Sequence, residues 1–147
     1  MNTIDRDAAK AAGVSKLGAP YLFGAKWILT DLDPSGPVDC SGFSRWWWAR
    51  ANMSVPEGST AQHADAVLID RKFTRVGDYA FLHTADPNVE HHVGIIYDEL
   101  LMIESRGIIV DGKEIGNVCF HRRSEWEARP DFLGYFRPKS VVAIEGA

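Results

Sequence analysis

The hydrophobic pattern of this chain changes period near residue 70, and that change bounds the fold. Residues 3–17 carry Ile4, Ala8, Ala11, Val14 and Leu17 at spacings of three and four, with Thr3 as a cap and Asp5 and Asp7 in the first turn. Gly18 and Pro20 then stop a first helix. A second helix is expected from Cys40 to Ala51, entered through Asp39, with Phe43, Trp46 and Trp47 as its buried stripe. A shorter one follows Ser59-Thr60 through Val67. Beyond that point short alternating runs read as strands: Phe73–Val76, Tyr79–Leu82, His92–Tyr97, Leu100–Glu104, Val118–His121 and Phe132–Phe136. Gly77-Asp78, Asp86-Pro87-Asn88, Gly107, Asp111-Gly112 and Pro130-Asp131 punctuate them. Helices first and strands afterwards, without βαβ alternation, predict an α+β domain whose N-terminal helices pack on an antiparallel sheet. The Val141–Ile144 run either finishes the sheet or begins a link onward.

Residues 24–39, rich in Gly, Pro and Asp, read as a long loop of the kind that carries function in compact domains. The chain has 147 residues, which suits one domain over 1–147 with a single core. Its formal charge of −4, without a long run of one sign, disfavours a nucleic-acid partner. No apolar stretch is long enough to insert in a membrane, and the N-terminal residues lack the basic flank and apolar core of a signal peptide. Synthesis in the cytoplasm is the expectation.

Cys40 and Cys119 are too few for a disulfide framework and lack zinc-site spacing, although one bond between them is open on counting alone. Cys40 opens a helix in Val38-Asp39-Cys40-Ser41-Gly42-Phe43, where the helix dipole favours a thiolate. Cys119 lies among strand formers and reads as a structural core residue.

His92 opens a strand in His92-Val93-Gly94-Ile95-Ile96-Tyr97, and alternation lets it face the helix while His91 points away. Gly94 leaves room for close approach. Twelve residues on, Glu104 stands among apolar strand residues and needs a partner, for which His92 and Arg106 are the two candidates. A carboxylate there can hold one histidine tautomer. His63, His83 and His121 stand in no comparable setting and read as surface polar positions. Trp46-Trp47-Trp48 sweep about 200° of a helix, so Trp48 is expected half exposed.

Four segments in order resemble the NlpC family of papain-like bacterial cell-wall cysteine peptidases. They are Leu17-Gly18-Ala19-Pro20-Tyr21-Leu22-Phe23-Gly24, Asp39-Cys40-Ser41-Gly42-Phe43, Val76-Gly77-Asp78-Tyr79-Ala80-Phe81-Leu82 and the His92 strand, spanning about residues 8–136. The resemblance implies a papain-like fold, Cys40 as nucleophile, His92 as general base, and Tyr21, Asp39 and Ser41 around the substrate. The family's third polar residue, usually His, Asn or Gln, falls at Glu104, a departure from the pattern. The implied activity is hydrolysis of peptidoglycan stem peptides between D-glutamate and a diamino acid, with no metal or organic cofactor.

The competing readings are an amidase of the CHAP type, cutting N-acetylmuramoyl–L-alanine and using Glu as third residue, and a catalytically silent wall-binding or structural module. A wall target without a signal peptide fits a phage lysin, a tail component or an effector of a dedicated secretion system. A phage tail or an immunity protein is the partner such settings imply.

Overall fold

The computed structural model describes residues 3–25, 36–86 and 90–146. Most of the 24–39 loop, residues 26–35, therefore lies outside the described residues.

Helix α1 runs over Arg6–Ser15, and its cap is Asp5, whose side chain accepts the Ala8 N–H at 3.0 Å. Thr3 does not cap it, because the helix begins two residues later than its apolar spacing suggested. Helix α2, Cys40–Arg50, is capped by Asp39, which accepts the Gly42 N–H at 2.7 Å. Its Ser, Gly and aromatic residues are indifferent helix formers, so tertiary packing and the cap carry it.

All three consecutive tryptophans of α2 are buried, which corrects the expectation for Trp48. The helix is packed on three flanks, by α1, by the sheet and by the Val76-Gly77 turn. Trp47 and Trp48 pack over Gly77 so closely that a Cβ there would come within 2.8 Å of both rings, and its φ of +94° also requires glycine. The Arg6 guanidinium covers Trp48 at 5.7 Å.

Helix α3 is shorter than expected, Ser59–Ala64, and the following Ala66–Ile69 forms strand β1. Four apolar residues were too few to distinguish the two periods. The Phe73–Val76 strand is absent; a 3-10 turn over Arg71–Phe73, capped by Asp70, ends where it was expected to begin, and Val76-Gly77 form a turn. The remaining strands are β2 (Tyr79–His83), β3 (Glu90–Ile96), β4 (Leu101–Val110), β5 (Lys113–Arg122) and β6 (Phe132–Pro138). Between β5 and β6 lies a short helix α4, Arg123–Glu127, and the Val141–Ile144 run falls within helix α5, Lys139–Glu145.

The six strands form one antiparallel sheet in the order β1-β6-β2-β3-β4-β5. β4 and β5 pair over ten positions around Asp111-Gly112, whose positive φ values of 50° and 74° suit a two-residue hairpin turn. Gly107 therefore lies within the ladder, opposite Gly116, and does not end a strand. By contrast β3 and β4 pair only at Ile95↔Ile103 and Ile96↔Met102, so the two strands part toward the start of β3.

The sheet has two packed faces. Val93, Ile95 and Ile103 join the core beneath α1 and α2. Ala80, Leu82, Ile96 and Met102 form a second cluster with Trp126 of α4 and Tyr135.

Candidate active site

The Gly18–Tyr21 segment pairs with the outer edge of β5, with Gly18 N–H donating to Val118 O at 2.9 Å and Tyr21 N–H to Gly116 O at 3.1 Å. Val38 then pairs with that segment, its N–H donating to Pro20 O at 3.0 Å, while Ser105 Oγ donates to Val38 O at 2.7 Å. These bonds fix the backbone immediately before Cys40. On the other side Gln62 of α3 donates to Ser41 O at 3.0 Å and accepts from Ser44 Oγ at 2.7 Å, tying α3 to the first turn of α2.

A cleft of about 520 Å³ runs over this turn. Tyr21 and Phe23 form one wall, Asp39, Cys40 and Ser41 the floor, and the Glu57–Ala61 segment the other wall, with His91 also lining it.

The structure brings Cys40, His92 and Glu104 together. His92 Nε2–H donates to Glu104 Oε1 at 3.1 Å, and the Cys40 sulfur is hydrogen-bonded to the same ring and to the Val93 N–H. With Nε2 committed to the carboxylate, Nδ1 is the nitrogen that serves the sulfur. The face assignment of β3 is corrected, however. His92 stands with Gly94 and Ile96 on the side of Trp126, away from the α1/α2 core, and reaches Cys40 at the open end where β3 and β4 have parted. His91 lines the cleft instead.

The electrostatics favour an ion pair. Burial pushes the Cys40 thiol up, but the hydrogen bond and charge of His92 and the Val93 N–H outweigh it and hold the thiol below its ordinary range. Burial likewise opposes charge on His92, yet its bonds to Cys40 and Glu104 push the ring up to about 9. Burial pushes Glu104 up, and His92, Arg106 and His121 together hold it below the usual carboxylate range. Both partners proposed for Glu104 from the sequence are thus present: Arg106 Nε also meets Oε1. Glu104 Oε2 faces His121 Nδ1 at 3.7 Å.

Tyr21, Asp39 and Ser41 all border the cleft. Burial and the nearby Cys40, Asp39 and Glu114 charges push the Tyr21 phenol up to about 12. Ser41 Oγ donates to Asp39 Oδ1 at 3.4 Å, so the capping carboxylate and the hydroxyl act as a unit.

Cys119 is not a core residue. It is half-buried directly opposite Glu104 in the β4–β5 ladder, with Sγ 3.7 Å from His121 Nδ1, and burial and the Glu104 charge push its thiol up to about 11. Both cysteines are free. His121 is half-buried beside Glu104 rather than a plain surface residue. His63 is also half-buried, its ring edge-on to Phe81 and Phe136. His83 Nδ1–H donates to Thr84 O at 2.5 Å. Among the described residues no His, Cys, Asp and Glu cluster fits a metal ion, and no helix is long and apolar enough to cross a membrane.

The sequence reading missed Trp126, which stacks on His92 with ring centroids 5.6 Å apart and 27° between planes. A helix of five residues between two strands leaves too little periodicity to show it.

A cysteine at a helix start, paired with a strand histidine that a carboxylate holds from behind on an antiparallel sheet, is an arrangement of the papain-like fold. The sequence profile of the NlpC/P60 family matches residues 18–125, and the chain belongs to that family. A 79-residue segment is 32% identical to the bifunctional muramidase/DL-endopeptidase CwlT of Bacillus subtilis, covering 53% of this chain and 22% of that protein. Much of CwlT thus has no counterpart here. A solved NlpC/P60 family protein from Bacillus cereus superposes with a TM-score of 0.69 at 22% identity, over 92% of this chain and 41% of that one. RipD of Mycobacterium tuberculosis superposes with a TM-score of 0.65 at 19% identity, over 89% of this chain and 94% of that one, and is described as a non-catalytic NlpC/p60 domain protein adapted to peptidoglycan binding.

Proposed function

We propose that this chain is a single catalytic domain, a cysteine endopeptidase that hydrolyses the D-glutamyl–diamino acid bond of peptidoglycan stem peptides. The observation that carries the reading is the hydrogen-bonded series from Cys40 through His92 to Glu104, opening onto a cleft. The DL-endopeptidase named in CwlT supports the choice of bond.

In this reading the Cys40 thiolate attacks the amide carbonyl. The Gly42 N–H is committed to Asp39, so the oxyanion falls to the Cys40 N–H at the positive end of α2. His92, protonated, gives its Nδ1 proton to the leaving amine, and the acyl group stays on sulfur. The neutral ring then takes a proton from water as that water attacks the thioester, which releases the carboxylate and restores the pair. Glu104 keeps Nε2 protonated throughout. Tyr21 walls the substrate, and Asp39 with Ser41 supplies the polar floor that receives a substrate amine.

Glu104 also suits the CHAP-type amidase reading, since both enzymes need only an orienting acceptor at that position. Digestion of purified peptidoglycan followed by mass spectrometry of the new termini separates the two. The endopeptidase yields a free diamino-acid amine, and cleavage between N-acetylmuramic acid and L-alanine overturns it. Absence of any new terminus, with wall binding retained, supports the silent-module reading.

A further inference from the structure

Three features converge on the indole of Trp126. Its ring, buried to 1% exposure, lies stacked on His92. Gly94, two residues along the same strand face, makes room for it, since a Cβ at that position would stand 2.9 Å from Trp126 Cζ2. The Arg106 guanidinium, which holds the same Glu104 oxygen as His92, also lies 5.5 Å from the Trp126 ring centroid. A leucine could fill this volume. Only an aromatic ring presents a negative face to two cations at once.

We propose that Trp126 is a positioning residue for His92: its indole face fixes the imidazole plane between Cys40 and Glu104 and favours the protonated ring over the neutral one. The inference rests on the reading of Cys40 and His92 as the reacting pair. The His92 side chain is only 12% exposed, so the attraction operates largely without competing water. A stacked plane also restricts rotation about the Cβ–Cγ bond, the motion that would break either hydrogen bond of the ring.

Other charges act on the same ring and must be held constant. Cys40 reaches it from α2, and Glu104 and Arg106 from β4. His121 on β5 acts through Glu104. His91 is its neighbour on β3, paired with Asp131 at 3.8 Å, and Asp131 is in turn held by Arg129. Trp126→Leu and Trp126→Phe alter none of these groups, so a change between them isolates the aromatic face.

The test is a nitrogen-15 NMR titration of the His92 ring in the wild-type chain and the variants Trp126→Phe, Trp126→Leu and Gly94→Ala. The ring of the wild type should titrate near pH 9. Trp126→Phe should remain close to it, while Trp126→Leu should fall by roughly half a pH unit or more, the size expected for loss of one cation–aromatic contact. Gly94→Ala, which displaces the indole, should fall in the same direction. With peptidoglycan as substrate, kcat at pH 8 should drop by about two- to tenfold in Trp126→Leu with KM unchanged. Coincident titrations of Trp126→Leu and wild type overturn the proposal, as does an equal fall in Trp126→Phe. If Trp126→Leu does not fold, Trp126→Met takes its place under the same criteria. Failure of the wild type to cleave peptidoglycan counts against the proposed function alone, because the ring titration requires no substrate.

Discussion

His92 Nε2 and Glu104 Oε1 lie 3.1 Å apart across the gap where β3 and β4 separate, so the hydrogen bond replaces a ladder contact that the two strands do not make. The strands diverge, and the side chains close the opening.

Glu104→Gln removes the charge and keeps an oxygen that can accept the Nε2–H. Because Glu104 helps push His92 up, Glu104→Gln should lower the ring's value, and the active thiolate–imidazolium pair should be lost at lower pH. The alkaline limb of the kcat/KM profile, near pH 9 in the wild type, should therefore move toward neutrality. At pH 8 a loss of about 10- to 100-fold is expected. Steady-state kinetics from pH 5 to pH 10 measures both, and an unmoved limb removes Glu104 from the site.

The Asp78–Arg137 pair tests the scaffold separately from the chemistry. Arg137 Nε donates to Asp78 Oδ1 at 2.8 Å and its second terminal nitrogen to Oδ2 at 2.8 Å, with both side chains fully buried between β2 and β6. Arg137→Met strands a buried carboxylate and should cost about 3–5 kcal/mol, lowering Tm by about 10 °C. Combining it with Asp78→Leu should recover part of the loss. Calorimetry of the two variants decides this, and equal Tm values for both contradict it.

Tyr21 is held against β4 by the absence of a side chain at Gly107. A Cβ there would come within 2.1 Å of Tyr21 Cδ1, so Gly107→Ala must push the ring out of the cleft wall. The expected cost is about 1–3 kcal/mol in stability, with KM rising more than kcat falls. Urea denaturation and kinetics together check it; wild-type KM in a folded variant excludes Tyr21 from substrate contact.

Much of this molecule was legible before its structure. Long amphipathic helices, strand alternation and the Asp39 cap each leave a local signature, and they gave the α+β layering and the Cys40 helix, while Tyr21, Asp39 and Ser41 came from the resemblance of four short motifs to the NlpC family. What escaped had a non-local cause. Trp48 is buried because the Gly77 turn closes over a helix already flanked by α1 and the sheet, which no periodicity on α2 encodes. The His92 face was misassigned because alternation says which residues share a face, not which face meets the helix. Trp126 and His121 joined the site through chain returns of 34 and 29 residues from His92. Ala66–Ile69 is too short for its period to be read, and pairing with β6 makes it a strand.

The central claim is that Cys40 is a nucleophile activated by His92, and selective alkylation tests it most directly. The hydrogen bond and charge of His92 hold the Cys40 thiol below its ordinary range, whereas burial and the Glu104 charge push the Cys119 thiol up to about 11. Iodoacetate should therefore carboxymethylate Cys40 at least about tenfold faster than Cys119, read by peptide mass spectrometry, with peptidoglycan cleavage falling in proportion to Cys40 modification. Equal rates at the two cysteines, or full cleavage with Cys40 completely modified, would contradict the account.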